Sequence, residues 1–215
     1  MSSANDKQTD WKDGFLFLGN QLVLDFLNTC PVQNGEPTEL LQDFGALLGW
    51  FQAANLLRSR EAANLQQRWG ESSRARRVVK AMQELREKIR RDVLAWERGG
   101  PVHHSAAGEL NRLMADHPMR TRLKTNENGS STELYFEPRQ PEDLFAPLAH
   151  SAAMLFANVD RKRVRKCDEC VLHFHDTSKK GTRRWCSMLL CGNRQKVAAY
   201  ADRQRLRRRR MTEKR

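Results

Sequence analysis

No stretch of this 215-residue sequence approaches the ~20 consecutive apolar residues that a helix needs to cross a bilayer. The opening MSSANDKQTDWKDG also lacks the basic lead and apolar core of a secretory signal. These absences make the cytoplasm the expected location and leave no membrane among the expected partners. Nor is there a glycine-rich loop able to cradle phosphate, a G-x-S-x-G elbow, or the His-x-Glu with Pro-Cys-x-x-Cys of a zinc deaminase. Without such a signature, the expectation is that the chain is not an enzyme. Cysteine is scarce as well, and five thiols in a reducing compartment are a poor disulfide framework.

The chain does contain enough apolar material to fold, 39% against 30% charged residues, and enough length for one medium domain with a small appended module. Its charge is unevenly placed. The formal total is +12, yet residues 158–215 hold 19 Lys/Arg against 6 Asp/Glu, while residues 1–157 hold 19 against 20. So concentrated an excess attracts polyanions, since Lys and Arg displace the counterions condensed on a phosphate backbone. DNA is the expected partner, and a merely solvated basic helix is the competing view.

The pattern along the chain is mostly α with some β. A polar lead, residues 1–13, is expected to fray. FLFLGNQLVLDFLNT then reads as strand, turn at Gly19-Asn20 and helix. Thr38 is placed to cap a helix through TELLQDFGALLGWFQAANLL, Ser59 opens SREAANLQQRW, and a longer helix runs from about Ser73 to Arg98. SAAGELNRLMADH follows and stops before Pro118. Between Arg120 and Glu137, strand-like segments flank ENGSS and predict a β-hairpin. Pro141 starts a last helix in which Pro147 either introduces a kink or marks the true first turn. The expected division is therefore a helical domain over 14–158 and a small module over 159–215.

In that module the segment RKCDECVLHFHDTSKKGTRRWCSMLLCGNRQK sets Cys167, Cys170, Cys186 and Cys191 at C-x2-C, fifteen residues, then C-x4-C. The first pair suits a knuckle with two thiolates facing one ion, and the second completes a tetrahedral shell. Four thiolates leave no position for substrate water, so a single structural Zn2+ is expected, with a four-thiolate iron centre as the chemical alternative. The wider second gap predicts one cysteine just before a helix and the other in its first turn, with Gly192 giving backbone freedom nearby. His173 and His175 read as surface or nucleic-acid-facing groups rather than ligands. Asp176 and Ser178 are placed to pin the turn that follows. Trp185 either shields the cluster or stacks on a base. Cys30 stands apart as a free thiol. Beyond Cys191 the chain is helix-compatible and rich in arginine. The preferred nucleic-acid contacts are Arg183, Arg184 and Arg194, with Lys196, Arg203 and Arg207 along the basic helix.

At Cys191-Gly192-Asn193-Arg194 the chain resembles the bacterial CGNR zinc-finger family, and the stretch from Arg183 to Met188, the Phe174, Asp176 and Ser178 spacing and Lys196 are similar to it too. The amino-terminal part resembles the ABATE domain, most visibly at Leu24-Asp25-Phe26, Asn28-Thr29 and the helix leading to Trp50. The resemblance implies a treble-clef-like four-cysteine finger behind a helical domain. It also implies a transcription regulator whose finger binds DNA and whose first domain senses a ligand or stress signal. Asp25, Asn28 and Thr29 are the polar set in an apolar start, and two readings stand open for them: they line a small-molecule pocket, or they cap the adjoining helix. The expected function is zinc-dependent DNA binding by a regulator that modulates or dimerises through its helical domain. The alternative is an RNA-associated or protein-interaction module.

Overall fold

From Ala75 to Trp96, buried side chains recur every three or four residues, among them Val78, Met82, Leu85, Ile89 and Val93, the spacing that turns one helical face to a core. The computed structural model describes residues 10–127 and 129–193 and sets this stripe in the middle of a helical domain. In chain order the helices are α1 (Leu22–Leu27), α2 (Phe44–Ala53), α3 (Ser59–Trp69), α4 (Ser73–Glu97), α5 (His104–Asp116) and α6 (Phe145–Asn158). Around α4, α1 packs on α6, α2 on α3, and α5 on α6. Trp50 is fully buried, with the rings of Phe51, Phe26 and Phe17 centred 5.2, 5.8 and 6.2 Å from it.

Among the described residues, eight short strands pair into four antiparallel hairpins: β1 (Trp11–Lys12) with β2 (Phe15–Leu16), β3 (Val32–Gln33) with β4 (Glu36–Pro37), β5 (Arg120–Asn126) with β6 (Gly129–Tyr135), and β7 (Val164–Lys166) with β8 (His173–His175). The fold is mostly α with small β elements. Ser59 and Ser73 begin their helices, and the hairpin after Pro118 forms over the expected segment.

Two local expectations change, and one open choice is decided. Residues 10–13 belong to the fold rather than to a frayed lead: Asp13 and Gly14 take positive φ values of 50° and 84° and turn β1 onto β2, burying Phe15 and Leu16. Thr38 does not cap α2. Asp43 does, its Oδ1 accepting from the Ala46 N–H at 2.8 Å, because the preceding residues turn at Asn34-Gly35 to pair β3 with β4. Pro147 sits in the first turn of α6, where proline's missing N–H has no helical partner to lose.

Candidate metal centre

The carboxyl-terminal module is built on the β7–β8 hairpin, in which Val164 pairs with His175 and Lys166 with His173. Cys167 leaves β7, and its N–H donates to the Leu172 carbonyl at 2.8 Å, closing the knuckle that carries Cys170. Asp176 fixes the next loop: its Oδ1 accepts from the Ser178 N–H at 2.9 Å and its Oδ2 from the Arg183 N–H at 2.8 Å. The chain returns to place the Cys186 N–H 3.3 Å from Cys167 Sγ. Ser187 then accepts from the N–H groups of Leu189 and Leu190 and caps a single π-type turn, Met188–Gly192, that carries Cys191. Gly192 does not take a positive φ, and a side chain there would first meet the flexible thioether end of the half-exposed Met188, so the fold makes no strong demand for glycine at this position.

These elements bring all four sulfurs within 4.8 Å of one another. Cys170 and Cys186 are 3.6 Å apart, and Cys186 and Cys191 3.7 Å. Zinc–sulfur bonds of about 2.3 Å in a tetrahedron give an edge of roughly 3.8 Å, whereas a disulfide would need about 2.05 Å. The ionisation of the set points the same way. Hydrogen bonds to Cys167 and Cys170, reinforced by burial, hold the Cys186 thiol far above its usual range. Burial, then the neighbouring Cys170 and Cys167, pushes Cys191 up to about 12. Cys167 is lowered because Cys170 and Cys186 hydrogen-bond to its sulfur. The protein alone thus favours one thiolate and opposes four, and a divalent cation supplies the missing compensation.

The arginines expected to face nucleic acid divide into two groups. The Arg183 guanidinium lies over the Phe174 ring at 4.9 Å and donates to the carbonyls of Trp185, at 2.8 Å, and Cys186. It shapes the backbone around the third ligand instead of projecting outward. Arg163 and Arg165 act in a similar way, donating to carbonyls of Asp176, Ser178 and Gly181. These backbone clamps carry no local sequence signal. Arg184 does project, with 67% of its side chain exposed and an ion pair to Asp168 at 2.7 Å. Arg194, Lys196, Arg203 and Arg207 lie outside the described residues.

His173 is not a surface group. It is 1% exposed; burial first, then the Arg90 and Lys166 charges, lowers it to about 3, and it stays neutral. Trp185 is half-buried in the apolar cluster around the cysteines, the arrangement of a shield.

A profile of the ABATE family, described as a putative stress-induced transcription regulator, matches residues 20–159. The chain belongs to the ABATE family. A second profile, the CGNR zinc finger, matches residues 163–204, so the four-thiolate centre is the site of one structural zinc ion. No curated protein matches the chain. No helix among the described residues is long and apolar enough to cross a membrane.

Within the ABATE part, Asp25, Asn28 and Thr29 are buried and engaged with protein groups. Asn28 Nδ2 donates to the His173 carbonyl at 2.9 Å while its Oδ1 accepts from the His173 N–H at 2.8 Å. The Thr29 hydroxyl donates to the Phe26 carbonyl and accepts from Arg86. Asp25 Oδ1 accepts from the Gly19 N–H at 2.7 Å, and the residue also borders a shallow cleft of about 520 Å³ with Lys12, Asn20 and Asn55.

Burial pushes the Asp25 carboxyl up to about 6 from the ordinary 3.8, against backbone hydrogen bonds from Gly19 and Leu18 that pull it down. The folded chain therefore keeps this proton at a pH where the unfolded chain has released it. The resulting stabilisation is present at acid pH and is lost as the pH rises through 6, the carboxylate then costing about 3 kcal/mol. Asp25→Asn cannot ionise. In urea unfolding it is expected to gain on the parent by about 3 kcal/mol between pH ~4 and ~7; a difference that stays flat with pH contradicts a protonated carboxyl here.

Proposed function

We propose that the chain is a zinc-dependent DNA-binding regulator, in which the metal fixes the shape of a basic finger and the ABATE domain receives the signal. The observation that carries this reading is a closed four-thiolate centre set in a segment of 19 Lys/Arg against 6 Asp/Glu. Four protein thiolates leave the metal no open position for water, which supports a structural and non-enzymatic role. Among the described residues, Lys162, Lys179 and Lys180 are exposed, and no ion pair is found for them. The Arg184–Asp168 pair lies at the surface, where such a pair contributes little and exchanges readily for phosphate. Arg194, Lys196, Arg203 and Arg207 add charge of the same sign. For the signal, a cleft of about 680 Å³ between α2, α3 and α4, walled by Gln66, Arg76, Lys80 and Gln83, has the size of a small-ligand site.

Duplex binding by fluorescence anisotropy is the test. Affinity is expected to fall by about 10³-fold or more between roughly 50 and 200 mM salt and to vanish on chelation. Replacing Lys179 and Lys180 by alanine should flatten the log–log salt slope by about 2, near 0.9 for each lost phosphate contact. Duplex binding indifferent to both salt and chelator contradicts the proposal. Single-stranded RNA competing as well as duplex favours the RNA-associated alternative instead.

A further inference from the structure

We infer that the segment from Asp10 to Asn28 is a working part of the metal centre, so that zinc affinity and the state of this amino-terminal segment are thermodynamically coupled. The inference goes beyond the proposed function and requires neither DNA nor a ligand of the ABATE domain.

The first contact is at the second cysteine pair. Ser187 follows Cys186 and has one hydrogen to give and two lone pairs to fill. Its hydroxyl donates to the Asp10 carboxylate and accepts from the N–H groups of Leu189 and Leu190. Asp10 takes the hydroxyl's hydrogen and so orients the two lone pairs on the turn that holds Cys191.

The second contact is apolar. Leu16 and Leu18, 2% and 5% exposed, are buried in one cluster with Cys167, Cys186, Cys191, Leu172 and Phe174, and Trp11 packs against it. Among the described residues, the finger adds Leu172 and Phe174 to its cysteines in the buried part of that cluster. So small a module gains from any further cover for its thiolates, and the β1–β2 hairpin with Leu18 adds to that cover.

The third contact is along β8. One edge of β8 pairs with β7. On the other, the His175 N–H donates to the Gly19 carbonyl at 2.8 Å, and Asn20 Nδ2 donates to the His175 carbonyl at 2.9 Å. The Asn28 amide pairs with both backbone groups of His173. Together Gly19, Asn20 and Asn28 stand in for a third strand, and without Asn28 the buried backbone groups of His173 would lack partners. The same segment is anchored in the helical domain, where the Val23 N–H donates to Ser151 Oγ on α6 at 3.0 Å. Groups that orient metal ligands in this indirect way typically change affinity 10–100-fold when removed. Coupling is reciprocal, so loss of metal must loosen α1 by the same factor that disturbing α1 weakens metal.

The test uses the full chain. Zinc affinity, measured by competition with a chromophoric chelator, is expected to be about 10–100-fold weaker in Asn28→Ala and several-fold weaker in Asp10→Ala. It should be unchanged in Thr182→Ala, although the exposed Thr182 lies far closer in sequence to the ligands. Hydrogen exchange on the parent supplies the reverse arm and does not depend on any variant folding. Stripping zinc should raise exchange across residues 19–28 as well as 163–193, with α3 unaffected. Affinities of both Asn28→Ala and Asp10→Ala within twofold of the parent overturn the inference, as does exchange that changes only within 163–193.

Discussion

Cys186→Ala is expected to empty the metal centre and unfold the finger around it. Cys186 is fully buried, lies within 3.7 Å of the sulfurs of Cys170 and Cys191, and directs its N–H at Cys167. Arg183 holds its carbonyl. Removing this sulfur takes away one of four bonds from a metal whose binding contributes about 10–16 kcal/mol to folding in small zinc modules, and no other described cysteine is placed to substitute. Elemental analysis should find zinc well below one per chain, and limited proteolysis should cut within 163–193 while sparing α2 to α4. Stoichiometric zinc in the variant would mean that the four sulfurs do not share one ion.

Arg86→Ala should damage the helical domain instead, by about 3 kcal/mol. Arg86 is 3% exposed and is held at each polar face. Nη1 donates to Thr29 Oγ1 at 2.9 Å and to Glu39 Oε1 at 2.8 Å, while Nε donates to Glu87 Oε1 at 2.9 Å. Burial disfavours its charge, but the hydrogen bonds and attraction of Glu39 and Glu87 outweigh that, and its pKa is raised. Removing one partner of a buried pair costs about 3–5 kcal/mol; the lower end applies because Glu39 and Glu87 keep 30% and 51% of their side chains in water. For a chain of this size the melting temperature should fall by roughly 6–12 °C. Arg86→Met restores volume but not hydrogen bonds and should recover only part of the loss; full recovery would show that the stem, not the fork, matters.

Much of the fold was legible because its signals are local. Ser59 and Ser73 announce helix starts, the stripe from Val78 to Trp96 has one period throughout, and two closely spaced cysteine pairs leave metal as the main chemistry. Local signals also account for what was missed. Thr38 and Asp43 are both of a residue type that caps helices, and only the hairpin at Asn34-Gly35 decides that Asp43 does so. Arg183 and Arg184 are neighbours of one type, yet one faces backbone carbonyls and the other solvent. Asn28 is a polar residue after an apolar helix in the sequence; its partner lies 145 residues away. Such long-range hydrogen bonds depend on tertiary placement, which periodicity and spacing do not encode.

Closure of Cys167, Cys170, Cys186 and Cys191 on one zinc ion gives the basic module its shape. Native mass spectrometry of the full chain is the test, because it counts metal ions and displaced thiol protons together. One zinc per chain is predicted, and acid release should collapse the ordered finger while the helical core persists. A chain that carries no metal, or carries iron, while residues 163–193 remain folded would contradict it.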